Sequence, residues 1–193
     1  MKPLTRKHFI TSEEYLEFER AAPEKHEYFD GEIFDMAGTS IQHSTISTNI
    51  VASLHSQFKG RPCRVMQSDM RVHVPSTGLY TYPDIVVVCG KVRLSDDSYL
   101  DTLLNPDVIF EILSPSTADY DKGAKFEHYR EIESLKQYVL VWQDKNRVAR
   151  HTRQDDGSWL LNDFIGDDAE VTFSSIDCSL SMEDIYDKVD FSE

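Results

Sequence analysis

Three kinds of feature are scarce in this chain, and each scarcity excludes something. Cysteine occurs only three times, at Cys63, Cys89 and Cys178. They are far apart, odd in number and without a CxxC pair, so neither a zinc site nor a redox couple is indicated. Reduced thiols and a cytoplasmic home are expected. Long apolar runs are missing too. The basic start from Met1 to His8 leads into no apolar leader region, and no later run is long enough to span a bilayer. No internal repeat, low-complexity tract or linker divides the chain. The third shortage is positive charge, since the net charge is −14, the wrong overall sign for a protein that approaches phosphates.

The distribution of charge softens that objection. Residues 155–193 hold twelve acidic side chains against one basic one, Lys188, so −11 of the −14 lies there. Basic residues group as Lys59, Arg61, Arg64 and Arg71, then Lys91 and Arg93, then Arg147, Arg150 and Arg153. A local electropositive surface is compatible with that grouping, as are ordinary solvated side chains. With 193 residues and 40% hydrophobic side chains, the chain can bury one sizeable core. The expectation is a single domain with a core over about residues 10–150 and an acidic C-terminal extension over about 155–193, loosely attached as a strand and short helix.

What is present reads as alternating helices and strands. Thr11 and Glu14 have the spacing of a capping box ahead of a helix that stops before Pro23. Tyr28-Phe29, Asp30-Gly31 and Ile33-Phe34 are the pattern of a tight hairpin. Ile46, Ile50, Leu54 and Phe58 form a helical stripe ended by Gly60 and Pro62. Residues 63–74, 82–89, 106–113 and 138–142 read as strands of one sheet, and residues 121–133 as a helix. Residues 147–152 and 158–164 pair around Asp156-Gly157. An α/β fold with a central mixed sheet flanked by helices follows, with an N-terminal helix and β-hairpin.

Charged residues inside apolar strands are costly without partners, which singles out two carboxylates. Asp84 heads the Ile85-Val86-Val87-Val88 strand, and Glu111 lies late in the Val108–Leu113 strand. Hydrolysis of a phosphodiester with a hard divalent cation needs carboxylates converging on the ion and a group to orient or deprotonate water. Lys125 shares a helix face with Lys122, Tyr129 and Ile132, which turns it toward the sheet as a general base or an electrostatic partner. Glu27 offers a further ligand. Structural readings stand beside each of these: a turn for Asp84, a buried ion pair for Glu111, and a helix pair with Asp121 for Lys125.

In order along the chain stand Lys25-His26-Glu27-Tyr28-Phe29-Asp30-Gly31-Glu32, His43, Tyr82-Pro83-Asp84, Glu111-Ile112-Leu113-Ser114-Pro115-Ser116-Thr117, Asp121-Lys122 with Lys125 and Tyr129, and Gln137-Tyr138-Val139-Leu140-Val141. Over about residues 10–150 this series resembles the Uma-two group of the PD-(D/E)XK nuclease superfamily, whose core is restriction-endonuclease-like. The resemblance implies Asp84 and Glu111 as metal ligands, Lys125 as the catalytic lysine and Glu27 as an accessory acid. The usual lysine position two residues after Glu111 is Leu113 here, so Lys125 takes that part from the next helix.

The expectation is thus a Mg²⁺- or Mn²⁺-dependent endonuclease acting on nucleic acid, with DNA as the expected substrate and no membrane involved. Asp84, Glu111 and the carbonyl of Ile112 hold the ion, while His43 and Lys122 contact substrate. A two-fold homodimer would most easily cut both strands. A nuclease-like module that binds nucleic acid or protein without cutting is the alternative, and hydrolysis of another phosphate ester is a third.

Overall fold

The computed structural model describes residues 9–36, 38–95 and 98–192. Met1 to His8, expected to carry no apolar leader, lie outside the described residues. Helix α1 (Ser12–Ala21) begins with the expected capping box: Thr11 Oγ1 accepts from the Glu14 amide, and the Glu14 carboxylate accepts from the Thr11 amide. Strands β1 (His26–Phe29) and β2 (Glu32–Asp35) then form the expected hairpin. Asp30 and Gly31 both take positive φ, at 48° and 79°, which suits the twist of a two-residue connection. Helix α2 (Ile41–Gln57) starts at Ser40, whose hydroxyl accepts from the His43 amide, and it buries Ile46, Ile50 and Leu54.

Residues 63–74, expected as one strand, are two. A turn closed by the Met70 amide on the Gln67 carbonyl separates β3 (Cys63–Gln67) from β4 (Arg71–Val74). Alternation of side chains could not reveal this, because the pattern resumes after the turn. The halves enter different sheets. One sheet joins β2, β1, β5 (Leu79–Thr81), β4 and β7 (Thr102–Leu103) in that order. The larger one joins β11 (Trp159–Ile165), β10 (Arg147–Arg153), β9 (Gln137–Trp142), β8 (Val108–Leu113), β6 (Ile85–Cys89) and β3.

Strand β8 runs antiparallel to β6 and parallel to β9, so the larger sheet is mixed. Its central strands are apolar on both faces because both faces are covered. Ile85 and Val87 point into a core shared with α2, whereas Val86 and Val88 point into a second core with Val72, Leu79 and Tyr129.

Residues 121–133 do not form one helix. Helices α3 (Ala118–Lys122) and α4 (Ala124–Tyr129) are separated by Gly123, whose φ −117° and ψ −97° are not helical. A stripe counted through Gly123 therefore loses its phase. The acidic C-terminal segment also differs from expectation. Strands β12 (Glu170–Phe173) and β13 (Cys178–Ser181) with α5 (Met182–Ile185) place Val171, Phe173, Leu180 and Met182 in the same core as Ile46 and Ile50. The Phe173 ring lies 5.4 Å from that of Phe110.

The expectation of three reduced thiols is corrected. Antiparallel pairing of β3 with β6 sets Cys63 directly opposite Cys89, and the two sulfurs are bonded, leaving Cys178 free. Spacing in sequence gives no hint of that register. Among the described residues, no helix is long and apolar enough to cross a membrane.

Candidate active site

The site grows from the β6–β8 register. Ile85 pairs with Phe110, so Asp84, one residue before β6, lies beside Glu111. The Asp84 amide is 3.4 Å from Glu111 Oε2, and Asp84 Oδ2 accepts from the Ile112 amide at 2.7 Å. The first turn of α2 brings His43 to the same atom, with Nε2 3.1 Å from Asp84 Oδ2. Ser40 steadies that turn: its hydroxyl accepts from the His43 amide and donates to Gln143 at 3.0 Å.

Lys125 enters from α4 and is buried. Its Nζ lies 3.0 Å from Glu111 Oε1, 3.0 Å from Glu27 Oε1 and 3.7 Å from Asp121 Oδ1. Glu27 comes from β1, where Thr81 of β5 donates to its Oε1. Tyr129, one turn beyond Lys125, donates to Glu111 Oε1 at 2.8 Å. The structure therefore gathers Glu27, His43, Asp84, Glu111, Ile112 and Lys125 around one cleft of about 1260 Å³.

Burial works against the charge on Lys125, but the carboxylates of Glu111, Glu27 and Asp121 outweigh it and hold its pKa well above the lysine range. That field favours the ammonium over the free amine, the form suited to electrostatic positioning. Glu111 is shifted upward, chiefly by burial, with Asp84 and Asp121 adding to the shift and Lys125 opposing it. Burial likewise raises Asp121.

Lys122, expected to share the Lys125 face and contact substrate, does not line the cleft. The break at Gly123 turns it away, so its side chain is 41% exposed, 3.8 Å from Asp119 and 5.9 Å from the Trp142 ring. Nor do the basic groups make an electropositive wall for it. Arg71 is buried against Asp101, Arg147 pairs with Asp163, and Arg61, Arg150 and Arg153 bond backbone carbonyls. Sequence reasoning also missed the hydrogen-bonding parts of Tyr129 and Thr81. Tyr129 stood on the Lys125 stripe and was legible there; Thr81 had no signal, because only the β1–β5 pairing brings it to Glu27.

Three carboxylates, those of Glu27, Glu111 and Asp121, share the Lys125 ammonium, and a fourth, Asp84, lies beside Glu111. A cation in the cleft would offset that charge, and an all-oxygen donor set favours a hard one. Among the described residues, no three His, Cys, Asp or Glu side chains form a ready ligand group. The donors fit an ion such as Mg²⁺, which keeps several waters and takes one or two carboxylates.

Residues 12–183 match the Uma2 family, described as "Putative restriction endonuclease". An uncharacterized protein of Synechocystis sp. (strain ATCC 27184 / PCC 6803 / Kazusa) is 36% identical over 165 residues, covering 86% of this chain and 93% of that one. A second uncharacterized protein of the same organism is 34% identical over 177 residues, covering 92% and 91%. Among solved structures, a protein of Anabaena variabilis ATCC 29413 described as "a putative nuclease belonging to DUF820" superposes with a TM-score of 0.74 at 25% identity. It covers 95% of this chain and 98% of its own.

Proposed function

Since this chain belongs to the Uma2 restriction endonuclease-like family, we propose that it is a divalent-metal-dependent nuclease that hydrolyses nucleic-acid phosphodiesters. One observation carries the reading: Asp84 and Glu111 stand side by side in the cleft while Lys125 Nζ is 3.0 Å from Glu111. A structural ion pair would need only one of those carboxylates.

Asp84, Glu111 and the backbone carbonyl of Ile112 would hold Mg²⁺ or Mn²⁺, which when bound polarises a phosphate oxygen and makes water more acidic. The remaining work belongs to the chain. Lys125, fixed as an ammonium between Glu111 and Glu27, donates hydrogen bonds to attacking water and to the charge that grows on phosphate. Glu27 fixes the ammonium from the other side and is the accessory acid of the site. His43 and the Ile112 amide hold Asp84 Oδ2, so the Asp84 carboxylate is kept in one orientation.

The deciding experiment offers single- and double-stranded DNA and RNA in Mg²⁺ or Mn²⁺ to wild type, Asp84→Asn and Lys125→Met. Near-UV circular dichroism reports whether each variant is folded. Cutting by wild type that both substitutions abolish supports the proposal. If folded wild type leaves every substrate intact, or either variant cuts as well as wild type, the nuclease reading is wrong and a binding module takes its place.

A further inference from the structure

The walls of the cleft say what kind of nucleic acid they suit. Among the described residues that line it, seven are carboxylates and none is arginine. Both lining lysines are already engaged: Lys25 donates to Asp69 at 2.6 Å and to the Ser68 carbonyl at 3.0 Å, and Lys125 is held by Glu27 and Glu111. A protein that follows duplex DNA makes roughly six to ten phosphate contacts through Lys and Arg, releasing a counterion at each. This cleft has no such track.

It has instead aromatic faces and neutral donors. Phe34 of β2 is 46% exposed and lines the cleft. Its cross-strand partner is Glu27, which puts the ring on the same face as the carboxylate that holds Lys125. Tyr120 of α3 is 38% exposed, with its ring 5.9 Å from Lys125 Nζ. Two aromatic rings thus flank the Glu27–Lys125 pair. The rest of the wall is rich in hydroxyls, with Thr39, Ser44, Ser47 and Thr48 from the start of α2 and Ser116 and Thr117 after β8. Hydroxyls bond phosphate oxygens without displacing counterions.

Aromatic rings can stack only on bases whose faces are free, and in a duplex those faces are already stacked. We propose that the preferred substrate is single-stranded nucleic acid, held by base stacking on Phe34 and Tyr120 and by hydroxyl contacts to one or two phosphates. The proposal rests on the nuclease reading of the same cleft and names its substrate class. Two consequences distinguish it from duplex recognition. The affinity depends weakly on salt, with a log–log slope no steeper than about −1, because only a phosphate neutralised by Lys or Arg contributes about −0.7 and hydroxyl contacts release no counterion. Each stacked base contributes about tenfold or more in affinity, lost when its ring is removed.

The test is fluorescence anisotropy of a labelled oligothymidylate and of a labelled duplex of equal length. Ca²⁺ is supplied as an oxygen-seeking divalent cation, across a salt series, with cleavage of both probes followed separately in Mg²⁺. The expected result is tighter binding of the single strand with the shallow slope. Phe34→Leu and Tyr120→Leu should lose about tenfold each, while Phe34→Trp and Tyr120→Phe keep wild-type affinity. Tighter binding of the duplex, a slope near about −5 or steeper, or equal loss in Tyr120→Phe and Tyr120→Leu would overturn the proposal. Single-strand binding with no cleavage in Mg²⁺ would support it while removing the nuclease reading. Absence of binding to both probes would remove both.

Discussion

Lys125 Nζ and Glu111 Oε1 lie 3.0 Å apart, both side chains buried, although one comes from the middle of a sheet and the other from beyond a broken helix. That contact makes the charges of the cleft depend on one another.

Removing the ammonium should therefore cost stability as well as activity. Lys125→Met leaves Glu27, Glu111 and Asp121 facing one another without a cation, and breaking a buried pair in this way costs about 3–5 kcal/mol. Urea unfolding measures the loss. Pairing it with Glu111→Gln should restore part of the stability, since one of the stranded charges is then gone. A single variant as stable as wild type would show that the carboxylates do not need Lys125.

Divalent ions should stabilise the folded chain before any chemistry is involved. Ions that bind the native carboxylates and not the unfolded chain raise Tm as their concentration rises. Wild type titrated with Mn²⁺ in a thermal melt should show that rise, and EDTA should abolish it. In Asp84→Asn the rise should be largely gone. An equal rise in both proteins would place the ion away from Asp84.

Acid sensitivity has a source outside the cleft. His73 is stacked on Tyr80 with ring centroids 4.0 Å apart, and burial, helped by Arg71, lowers its pKa from 6.5 to about 4. Between those values the unfolded chain binds a proton that the folded chain refuses, so stability falls as pH drops through the window and is fully present above it. His73→Phe should lose less stability than wild type between pH 6.5 and pH 4 in urea titrations. Parallel losses would mean that His73 titrates normally.

Reduction should weaken the fold through β3. The Cys63–Cys89 bond spans 26 residues, and closing a loop of that order stabilises by about 3.5 kcal/mol in the chain-entropy account. Non-reducing peptide mapping should recover the two cysteines in one cross-linked fragment. Reductant, or Cys63→Ser with Cys89→Ser, should lower the urea midpoint, whereas a midpoint indifferent to both would show that β3 is held by its pairing alone.

Local signals were read from short stretches and stand where one stretch decides the outcome. The Thr11–Glu14 capping box, the Asp30-Gly31 turn and the Ile46–Ile50–Leu54 stripe each depend on neighbours a few residues away. Errors arose where a pattern was carried across a backbone change. Alternation through Gln67 to Met70 hid the passage from one sheet to another, and the stripe through Gly123 put Lys122 on a face it does not share. In the C-terminal segment, acidic composition concealed Val171, Phe173 and Met182, whose burial depends on a partner core far away in sequence.

The sequence by itself determined the element types and the identity of the charged residues set in apolar strands, because propensity, capping and period are properties of adjacent residues. Tertiary structure alone decided which groups meet. The β6–β8 register sets Asp84 beside Glu111, the β1–β5 pairing brings Thr81 to Glu27, and the β3–β6 register bonds Cys63 to Cys89. It also set the field around Lys125, since Glu111, Glu27 and Asp121, all from other elements, favour its ammonium form.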